Sequence, residues 1–420
     1  MLYERWRKIA LERRKEIALR DTTSRQEWTF DQLSRMGDTW PATTGLIVFP
    51  QGNSPQFIFD LLAGWREQKI ICPLETGQSL GEIGRPPATC RHLKCTSGTN
   101  GIVKTVAFTE EQLAADAINI LQTMGLSVDN PNLGVISMAH SYGFSNLVLP
   151  LLLHGMPLIL VPAPLPEMIR QAAESETQIT LPAVPAMWRA WLQAGVIPRN
   201  ISVAISAGAP LPLLLEQSVF QETGIKIHNF LGASECGGIA YDDSSEPRSD
   251  SSCVGKAMQN VKLSLNGDGC LRVEGRSVGE TYWPNRDASL HEGVFQTSDL
   301  AELRDGKVFL RGRLGDQINV AGRKVLPEKI ESVLRSHGQV HDCLVFGRPS
   351  EDSSRTEIIV AVVVGDVAAA ALRDFLLNAL PAWQVPREWR FVEALPVNGR
   401  GKISRAEWRR LSTKPSHAEN

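Results

Sequence analysis

Features that mark several other classes of protein are missing from this sequence. None of its seven cysteines is spaced as Cys-x-x-Cys, so no zinc-ribbon pattern is present, and their odd number and scatter favour free thiols in a reducing cytosol. The 44 Lys and Arg residues are balanced by 46 Asp and Glu residues, which leaves a net charge of -2. A nucleic-acid-binding protein would carry a basic field, so nucleic acid is not an expected partner.

Long uninterrupted apolar stretches are also missing. The most apolar region, Leu147–Pro166, is broken by His154, Gly155 and several prolines, so it cannot be a single membrane-spanning helix. Residues Met1–Arg20 alternate charged and apolar side chains, unlike a secretory signal peptide, and predict an amphipathic helix that leads into a strand. We therefore expect a soluble, cytoplasmic protein without a membrane span.

The order of apolar segments predicts an α/β fold. Apolar strands alternate with amphipathic helices through more than half of the chain, which is the rhythm of a parallel sheet. Helix starts are indicated by Asp31, read as a cap, and by a capping box at Thr109–Gln112. The segment Asp242–Ser252 is rich in Ser, Asp and Glu and predicts a mobile surface loop.

The length predicts more than one domain. A chain of 420 residues with 43% hydrophobic content exceeds a typical single domain. Its later part is rich in short strands, with a hairpin turn expected at Asp305-Gly306, and then becomes a small α+β unit with an apolar strand at Ile358–Val364. We place the boundary near Arg311–Asp316. The expected domains are a large N-terminal α/β domain of layered sheets and helices, residues 1–311, and a small C-terminal α+β domain, residues 312–420.

A cluster of hydroxyl-bearing residues, glycines and a lysine predicts a phosphate-binding loop. Its members are Thr96, Ser97, Gly98, Thr99, Gly101 and Lys104. Backbone N–H groups bared by glycine, side-chain hydroxyls and an ammonium group together suit a polyphosphate. The loop is not a Walker A motif, because Ile102 and Val103 separate the second glycine from the lysine. On these residues alone, an ordinary solvated turn remains an alternative.

Six clusters in the order found here resemble those of the adenylate-forming (ANL) superfamily. They are residues 96–104, Ser206–Leu211, Leu231–Glu235, Thr297–Asp299, Gly312–Asp316 with Gly322–Val325, and Gly401-Lys402. The superfamily comprises acyl- and aryl-CoA synthetases, nonribosomal peptide adenylation domains and luciferases. The resemblance extends from about Trp28 to Leu411, so it covers most of the chain.

The resemblance implies an AMP-forming acid–thiol ligase. Such an enzyme activates a carboxylic acid with ATP, releases pyrophosphate, and passes the acyl group from the acyl adenylate to a thiol. Because a carboxylate then attacks a phosphate, catalysis should depend on positioning and on cationic neutralisation. The implied substrates and cofactors are ATP with Mg²⁺, a small aryl or fatty acid, and CoA or the phosphopantetheine of an acyl carrier protein.

The resemblance also assigns nucleotide-binding roles. It implies that residues 96–104 hold the β- and γ-phosphates and that Ser234 contacts the α-phosphate. Glu235 would bind Mg²⁺, a hard cation suited to carboxylate and phosphate oxygens. Asp299 would bind the ribose hydroxyls, with Arg313 beside it.

Small residues are implied at the adenine site, where missing or short side chains allow a flat ring to approach. The residues concerned are Gly208, Ala209, Pro210, Leu231 and Gly232. Leu231 occupies the position where the family usually carries an aromatic residue. Stacking on adenine is therefore expected to be lost unless Phe230 replaces it.

The second domain is implied to supply a mobile lysine. Lys402 resembles the residue that spans the attacking carboxylate and the α-phosphate, and a compact charge on a flexible stem suits both contacts. Gly315 occupies the hinge position, where a free φ is expected to ease rotation. That rotation would bring the region of Gly322, near Arg323 and Lys324, to the thiol entrance. A solvated lysine and a glycine that only completes a loop are the alternatives.

The sequence evidence on the class of acid substrate comes from the region of His140. Residues His140–Phe144 resemble the histidine-containing stretch of acyl- and aryl-CoA synthetases, where amino-acid-activating domains carry an aspartate. Without that carboxylate a buried ammonium would be unpaired, so an apolar acid is favoured. Gly237, Gly238 and Ile239 are expected to line the pocket floor, where the glycines would leave space for a bulky tail; glycines that only turn the chain are the alternative. A histidine that caps a helix or fills the core is the alternative.

Three other functions stay open on the sequence. Loading of a carrier protein shares the same chemistry, and a stand-alone amino-acid adenylation domain is disfavoured by His140. A degenerate nucleotide-binding protein without ligase activity is favoured by Leu231 and by Glu75–Arg91, a short linker in place of a longer run of structure. Retention of Glu235 and Lys402 weighs against such a protein.

Overall fold

The computed structural model describes residues 1–41, 44–81, 83–97, 103–350, 357–395, 405 and 408–409. The chain forms two compact units. The larger unit consists of Met1–Ser264, Arg272–Thr297 and Arg304–Val308, and the smaller unit of Leu265–Leu271, Ser298–Leu303 and Phe309–Asn420. Both units mix helices with strands, so the predicted α/β class is confirmed.

Helices and strands alternate through the larger unit. Its described helices are α1 Leu2–Glu12, α2 Phe30–Thr39, α3 Pro55–Arg66, α4 Glu110–Thr123, α5 Ser141–Gly143, α6 Leu149–His154, α7 Pro166–Glu174, α8 Pro185–Gln193 and α9 Leu213–Thr223, with a π-helical turn at Phe144–Val148. Its strands up to residue 257 are β1 Ile17–Asp21, β2 Gln26–Thr29, β3 Ile47–Val48, β4 Ile70–Ile71, β5 His92–Ser97, β6 Val103–Phe108, β7 Asn132–Gly134, β8 Leu158–Leu160, β9 Ile179–Ala183, β10 Ile201–Ser206, β11 Ile227–Ala233, β12 Gly237–Tyr241 and β13 Cys253–Ala257.

The strands after residue 257 belong partly to the larger unit and partly to the smaller unit. They are β14 Val261–Leu265, β15 Cys270–Gly275, β16 Thr281–Trp283, β17 Leu290–His291, β18 Val294–Arg304, β19 Lys307–Arg313, β20 Ile318–Val320, β21 Arg323–Val325, β22 Val340–Pro349, β23 Glu357–Gly365 and β24 Glu388–Phe391. The smaller unit also contains α10 Pro327–Arg335, α11 Ala369–Ala379 and 3₁₀ turns at Leu314–Asp316 and Ala382–Gln384.

Parallel pairing builds the main sheet of the larger unit. Strand β10 pairs in parallel with β9 and β11, β7 pairs in parallel with β8 and β9, and β8 with β1. The antiparallel neighbours β2 and β12 adjoin β1 and β11. Because the carboxyl ends of parallel strands meet at one edge, the segments that follow β10 and β11 lie close together.

A second sheet in the larger unit holds both sides of the predicted phosphate loop. Strands β3, β4 and β5 run in parallel, and β6 returns antiparallel to β5 so that Thr96 lies opposite Lys104. Strand β16 adds to the other edge of β6, with Tyr282 opposite Val106. The register of these strands fixes where the loop begins and ends.

Helices α2 and α4 each begin with a capping box. Thr109 caps α4 as predicted: its Oγ1 accepts a hydrogen bond from the Gln112 backbone N–H at 3.3 Å, and Gln112 Oε1 accepts one from the Thr109 N–H at 2.9 Å. The prediction that Asp31 caps α2 is wrong. Thr29 caps this helix through the same reciprocal pair with Gln32, at 3.2 and 2.8 Å, and the helix begins at Phe30.

The three-stranded sheet of the smaller unit is covered on both faces. Side chains from β22 alternate between two apolar clusters, because successive residues of a strand point to opposite faces. Cys343 and Val345 belong to the cluster that includes α10 and α11, whereas Leu344 and Phe346 belong to the cluster that includes Trp408. Trp408 therefore packs against the sheet rather than projecting from it.

None of the seven cysteines forms a disulfide, and all except Cys95 are buried. No helix in the described part of the chain has the length and apolar character that crossing a bilayer would require.

The segment Asp242–Ser252 is anchored by buried charges, so the prediction of a mobile surface loop is wrong at Asp242 and Arg248. Lys226 Nζ donates to Glu216 Oε1 at 2.7 Å and to Asp242 Oδ2 at 2.6 Å. Arg248 Nε donates to Glu216 Oε2 at 2.8 Å, and all four side chains are buried. Burial acts to raise the pKa of Asp242, but the hydrogen bond and charge of Lys226 hold that pKa below its usual value.

Replacing Arg248 tests this anchoring. Arg248→Met removes one of two cations from the buried Glu216 carboxylate and should lower the free energy of unfolding by about 3 kcal/mol, measured by chemical denaturation. Lys256→Met is the matched control, because Lys256 Nζ contacts Asp243 Oδ2 at 2.9 Å on the exposed surface beside this segment. The control should have little effect. Equal losses in the two variants would contradict a structural role for the buried cluster.

Candidate active site

The strands around the predicted phosphate loop place Lys104 beside Tyr282. The Lys104 ammonium lies 5.0 Å from the centroid of the Tyr282 ring and 3.4 Å from Asp287 Oδ2. Thr96, opposite Lys104 in the hairpin, is buried. Of the other predicted loop residues, Gly98, Thr99 and Gly101 lie outside the described residues, as does the side chain of Ser97.

Tyr282 also contacts Glu235. Its hydroxyl donates a hydrogen bond to Glu235 Oε1 at 3.0 Å, and the Gly279 N–H donates to the Glu235 carbonyl at 2.8 Å. Burial raises the pKa of Tyr282 well above its usual value, and the charge of Glu235 adds to this effect, so the hydroxyl stays a donor. Two predicted residues that are distant in the sequence, Lys104 and Glu235, therefore converge on one tyrosine.

The segment that precedes α5 orients His140 toward a carboxylate. His140 Nε2 lies 3.0 Å from Glu75 Oε1, which also accepts a hydrogen bond from Ser137 Oγ. Asn53 holds the neighbouring backbone, because its Nδ2 donates to the Ile136 carbonyl at 3.0 Å and its Oδ1 accepts from the Met138 N–H at 2.8 Å. His140 occupies the N-cap position of α5 without a capping hydrogen bond from its side chain.

An aromatic pair lies close to the predicted adenine position. The rings of Tyr142 and Phe230 have centroids 6.0 Å apart, and the Tyr142 hydroxyl donates to the Ala183 carbonyl at 3.3 Å. Phe230 is buried against Tyr142, whereas Leu231 is partly exposed. In this structure Phe230 thus belongs to the core, and Leu231 keeps the more accessible position.

The turn after β10 contains the predicted adenine wall. Gly208 has φ +85°, in the left-handed region, and no atom lies closer than 3.5 Å to where its Cβ would be. Its backbone conformation, rather than crowding, therefore favours glycine. Ala209 and Pro210 follow, and the next carbonyl, of Leu211, accepts a hydrogen bond from Arg248 Nη2 at 2.8 Å. The buried charge cluster of Glu216, Lys226, Asp242 and Arg248 thus reaches this turn.

Glycines at the start of β12 make room for a buried carboxylate. Gly237 has φ +72°, and a Cβ there would lie 2.0 Å from Asp116 Oδ1. The Gly238 N–H donates to the same oxygen at 3.1 Å, and a Cβ on Gly238 would lie 2.9 Å from Met258 Cε. The space beside these glycines is thus filled by protein atoms, contrary to the expectation that it would accept a bulky tail.

Asp116 forms a buried ion pair with Lys94. The ammonium lies 3.5 Å from Asp116 Oδ2, and the side chains are 3% and 2% exposed. The Ser145 hydroxyl completes the cluster, donating to Asp116 at 2.6 Å and accepting from Lys94 at 3.2 Å. Since Lys94 lies on β5, the pair connects the strand that enters the predicted phosphate loop with the glycines of β12.

Two further predicted residues form an ion pair within the smaller unit. Arg313 Nε donates to Asp299 Oδ1 at 2.9 Å, and the charge of Asp299 raises the pKa of Arg313. Gly322 lies with Ala321 in the tight turn between β20 and β21, where both have positive φ, and its N–H donates to Asn319 Oδ1 at 3.0 Å. Gly315 lies in a 3₁₀ turn without a left-handed φ.

The remaining predicted residues lie at the end of β11 or outside the described part of the chain. Ser234 and Gly232 lie near the end of β11 and are at least partly exposed. Lys402 is outside the described residues. Among the residues that the structure describes, no group of three or more His, Cys, Asp or Glu side chains could hold a metal ion by itself.

Comparison with protein families identifies the chain. The model of the AMP-binding enzyme family matches residues 52–283, and that of the AMP-binding enzyme C-terminal domain matches residues 329–402. The chain belongs to the AMP-binding enzyme family. This confirms the resemblance to adenylate-forming enzymes that the motifs predict.

Curated relatives of this AMP-binding enzyme include ligases. A 2-succinylbenzoate–CoA ligase of Bacillus cytotoxicus is 27% identical over 381 residues, which cover 87% of this chain and 77% of the relative. A 2-succinylbenzoate–CoA ligase of Staphylococcus aureus is 27% identical over 320 residues, which cover 74% of this chain and 65% of the relative.

Solved structures share the fold. ATP-bound MatB from Rhodopseudomonas palustris has a TM-score of 0.83 at 19% identity, covering 94% of this chain and 95% of that one. The o-succinylbenzoate CoA synthetase (MenE) from Bacillus subtilis, in complex with its acyl-adenylate intermediate OSB-AMP, has a TM-score of 0.80 at 20% identity, covering 96% and 97%. At these identities the likeness establishes the fold of the AMP-binding enzyme.

Sequence reasoning missed the residues that connect the motifs. Tyr282, Glu75 and the Lys94–Asp116 pair belong to none of the motif clusters. The one signal available is Lys94 between the apolar Leu93 and Cys95 of β5, because a buried charge requires a partner. The partner itself could not be found from the sequence, since it comes from α4.

The Lys94–Asp116 pair can be tested by stepwise neutralisation. Lys94→Met leaves the Asp116 carboxylate buried without its cation and should lower the free energy of unfolding by about 3–5 kcal/mol, measured by chemical denaturation. Adding Asp116→Asn to this variant should recover part of the loss, because the amide carries no charge. Its Oδ1 can still accept from the Gly238 N–H, and its Nδ2 can donate to Ser145 Oγ. A double variant no more stable than Lys94→Met would show that unpaired charge is not the cause.

Proposed function

We propose that the protein is an ATP-dependent acid–CoA ligase. It forms an acyl adenylate with release of pyrophosphate and then transfers the acyl group to CoA. The observation that carries this proposal is the convergence of Lys104 and Glu235 on Tyr282, at the end of the hairpin that holds the predicted phosphate loop. Membership of the AMP-binding enzyme family and the CoA ligases among its relatives support it. A CoA substrate and free cysteines both suit a reducing compartment, so we place the protein in the cytoplasm.

In this proposal the larger unit binds the triphosphate. The ammonium of Lys104 and the loop that precedes it bind the β- and γ-phosphates, and Ser234 contacts the α-phosphate. Glu235 fits as a ligand of Mg²⁺, because this ion is usually bound by one or two carboxylates together with substrate phosphates and water. When bound, Mg²⁺ neutralises phosphate charge. Tyr282 keeps Glu235 turned toward the same side as Lys104.

In this proposal small residues bind the adenine of the nucleotide, and a carboxylate binds its ribose. Gly208, Ala209 and Pro210 with Leu231 and Gly232 line the adenine site, and Asp299 accepts hydrogen bonds from the ribose hydroxyls. Arg313 orients Asp299 through the contact at 2.9 Å. In the C-terminal part, Lys402 contacts the attacking carboxylate during adenylation. Rotation at Gly315 then replaces it with the region of Gly322 for thiol transfer.

The acid is proposed to be a small aryl acid. Tyr142, which packs on the buried Phe230, provides an aromatic wall, and His140 immediately precedes the helix that carries Tyr142. Glu75 places a carboxylate 3.0 Å from His140, which removes the sequence argument against a positively charged acid, so the proposal of an aryl acid rests on the aromatic wall and on the relatives. The 2-succinylbenzoate–CoA ligases among the relatives support an aryl acid.

Trapping with hydroxylamine tests the proposed reaction. With ATP and Mg²⁺, the protein should release pyrophosphate and form hydroxamates from aryl acids, 2-succinylbenzoate included, faster than from alkyl acids of similar size. Lys402→Ala should slow adenylate formation about 100-fold or more, as loss of a charge that stabilises a transition state does. Failure of every acid, together with no rise in melting temperature on adding ATP, would instead indicate a protein without ligase activity.

Tyr282 provides a second test. Tyr282→Phe keeps the ring beside Lys104 but removes the hydrogen bond to Glu235, so the affinity for Mg·ATP should fall about 10-fold, in line with a hydrogen bond to a charged group. Isothermal titration would measure it. Tyr3→Phe is the matched control, since Tyr3 donates to a carboxylate, Asp38, at 2.6 Å between α1 and α2. If both variants bind Mg·ATP as the wild type does, Tyr282 does not position Glu235.

A further inference from the structure

One arginine near the end of the described chain has every nitrogen of its guanidinium engaged. Arg405 Nη2 lies 2.8 and 2.9 Å from the two carboxylate oxygens of Glu331, Nη1 lies 3.1 Å from Asp316 Oδ2 and 2.8 Å from Glu328 Oε1, and Nε donates to the Val345 carbonyl at 3.2 Å. A planar, forked cation can satisfy so many acceptors, whereas a single ammonium cannot.

The contact is partly buried and electrostatically strong. The side chain of Arg405 is 18% exposed and that of Glu331 is 4% exposed. Burial acts to lower the pKa of Arg405, yet the charges of Glu331 and Glu328 raise it, so the cation is stable in this environment. Three carboxylates face one guanidinium, which means that any loss of the cation leaves like charges close together.

The contacts of Arg405 connect residue 405 with the 3₁₀ turn after β19 and with α10. Asp316 ends the 3₁₀ turn that follows β19, and Glu328 and Glu331 lie on α10. Trp408 packs on the sheet of β22, β23 and β24, in the cluster that also contains Leu395. The chain is therefore held to this sheet at residue 395 and again at residues 405 and 408.

Lys402 lies within the interval between these two attachments, three residues before Arg405. Three residues of extended chain span at most about 11 Å, so the lysine backbone stays within that distance of the arginine backbone. A lysine that must meet a carboxylate and a phosphate in one geometry depends on where its backbone is held, since a 1 Å misplacement can cost about 100-fold in rate.

We propose that Arg405 is a positioning residue for Lys402. Its guanidinium ties residue 405, three residues after the lysine in the sequence, to Asp316, the residue after the proposed hinge Gly315. The inference rests on the proposed function, because it assigns Lys402 to adenylate formation and not to thiol transfer. Arg405 itself need not touch either substrate.

The two half-reactions separate a positioning role from a general one. Arg405→Lys keeps the positive charge among the carboxylates but loses the fork. It should lower kcat for adenylate formation about 10-fold to 100-fold, leave KM for ATP nearly unchanged, and leave acyl transfer from supplied aryl adenylate to CoA close to the wild-type rate. Arg390→Lys is the matched control, because Arg390 pairs with Glu388 on β24 of the same unit. It should leave both half-reactions unchanged.

A double variant completes the test. If Arg405 acts through Lys402, then Arg405→Lys should slow adenylate formation no further in a Lys402→Ala background. Wild-type adenylation at Arg405→Lys, equal loss in both half-reactions, or a multiplied loss in the double variant would each overturn the inference. Adenylation by the wild type and its loss in Lys402→Ala establish the proposed function separately, so failure of that function is distinguishable from failure of the role of Arg405.

Discussion

The buried ion pair between Lys94 and Asp116 is the interaction on which the candidate site depends. It connects β5, which enters the predicted phosphate loop, with α4, with the π-helical turn through Ser145, and with the glycines of β12. Two charges away from water are stable only when each is fully hydrogen-bonded, so this contact allows few alternative arrangements of the four segments. The positions of β5 and of the glycines of β12 are thus coupled through one carboxylate.

Ion pairs with little exposure to water occur at two other places in the structure. Glu216 with Lys226, Asp242 and Arg248 holds the turn at the proposed adenine wall, and Arg405 with its three carboxylates holds the chain beside Lys402. In each case an arginine contacts a turn: Arg248 donates to the Leu211 carbonyl after β10, and Arg405 contacts Asp316 at the end of a 3₁₀ turn. Apolar packing alone would stabilise the sheets but would leave such segments free to adopt several conformations, since it has no direction.

Fold and function rest on different observations in this family. Structures at 19% and 20% identity share the architecture, and one fold can serve many reactions, so the fold does not identify the reaction. The proposed ligase activity depends instead on particular side chains. Lys104, Tyr282 and Glu235 place a cation and a carboxylate together at the end of a hairpin, which is the combination that a metal-bound triphosphate requires.

The sequence by itself determined the class of fold, the α4 capping box and the superfamily, because those signals are local or depend only on the order of motifs. It misplaced the cap of α2, where Thr29 and Gln32 form the box that Asp31 cannot. It also misread Asp242–Ser252, since polar composition is a local property and the partners of Asp242 and Arg248 come from other segments. Only the tertiary structure decided that Tyr282 joins Lys104 to Glu235, that Glu75 faces His140, and that Asp116 fills the space beside Gly237. Contacts between residues distant in the chain are set by packing, which no single stretch of sequence encodes.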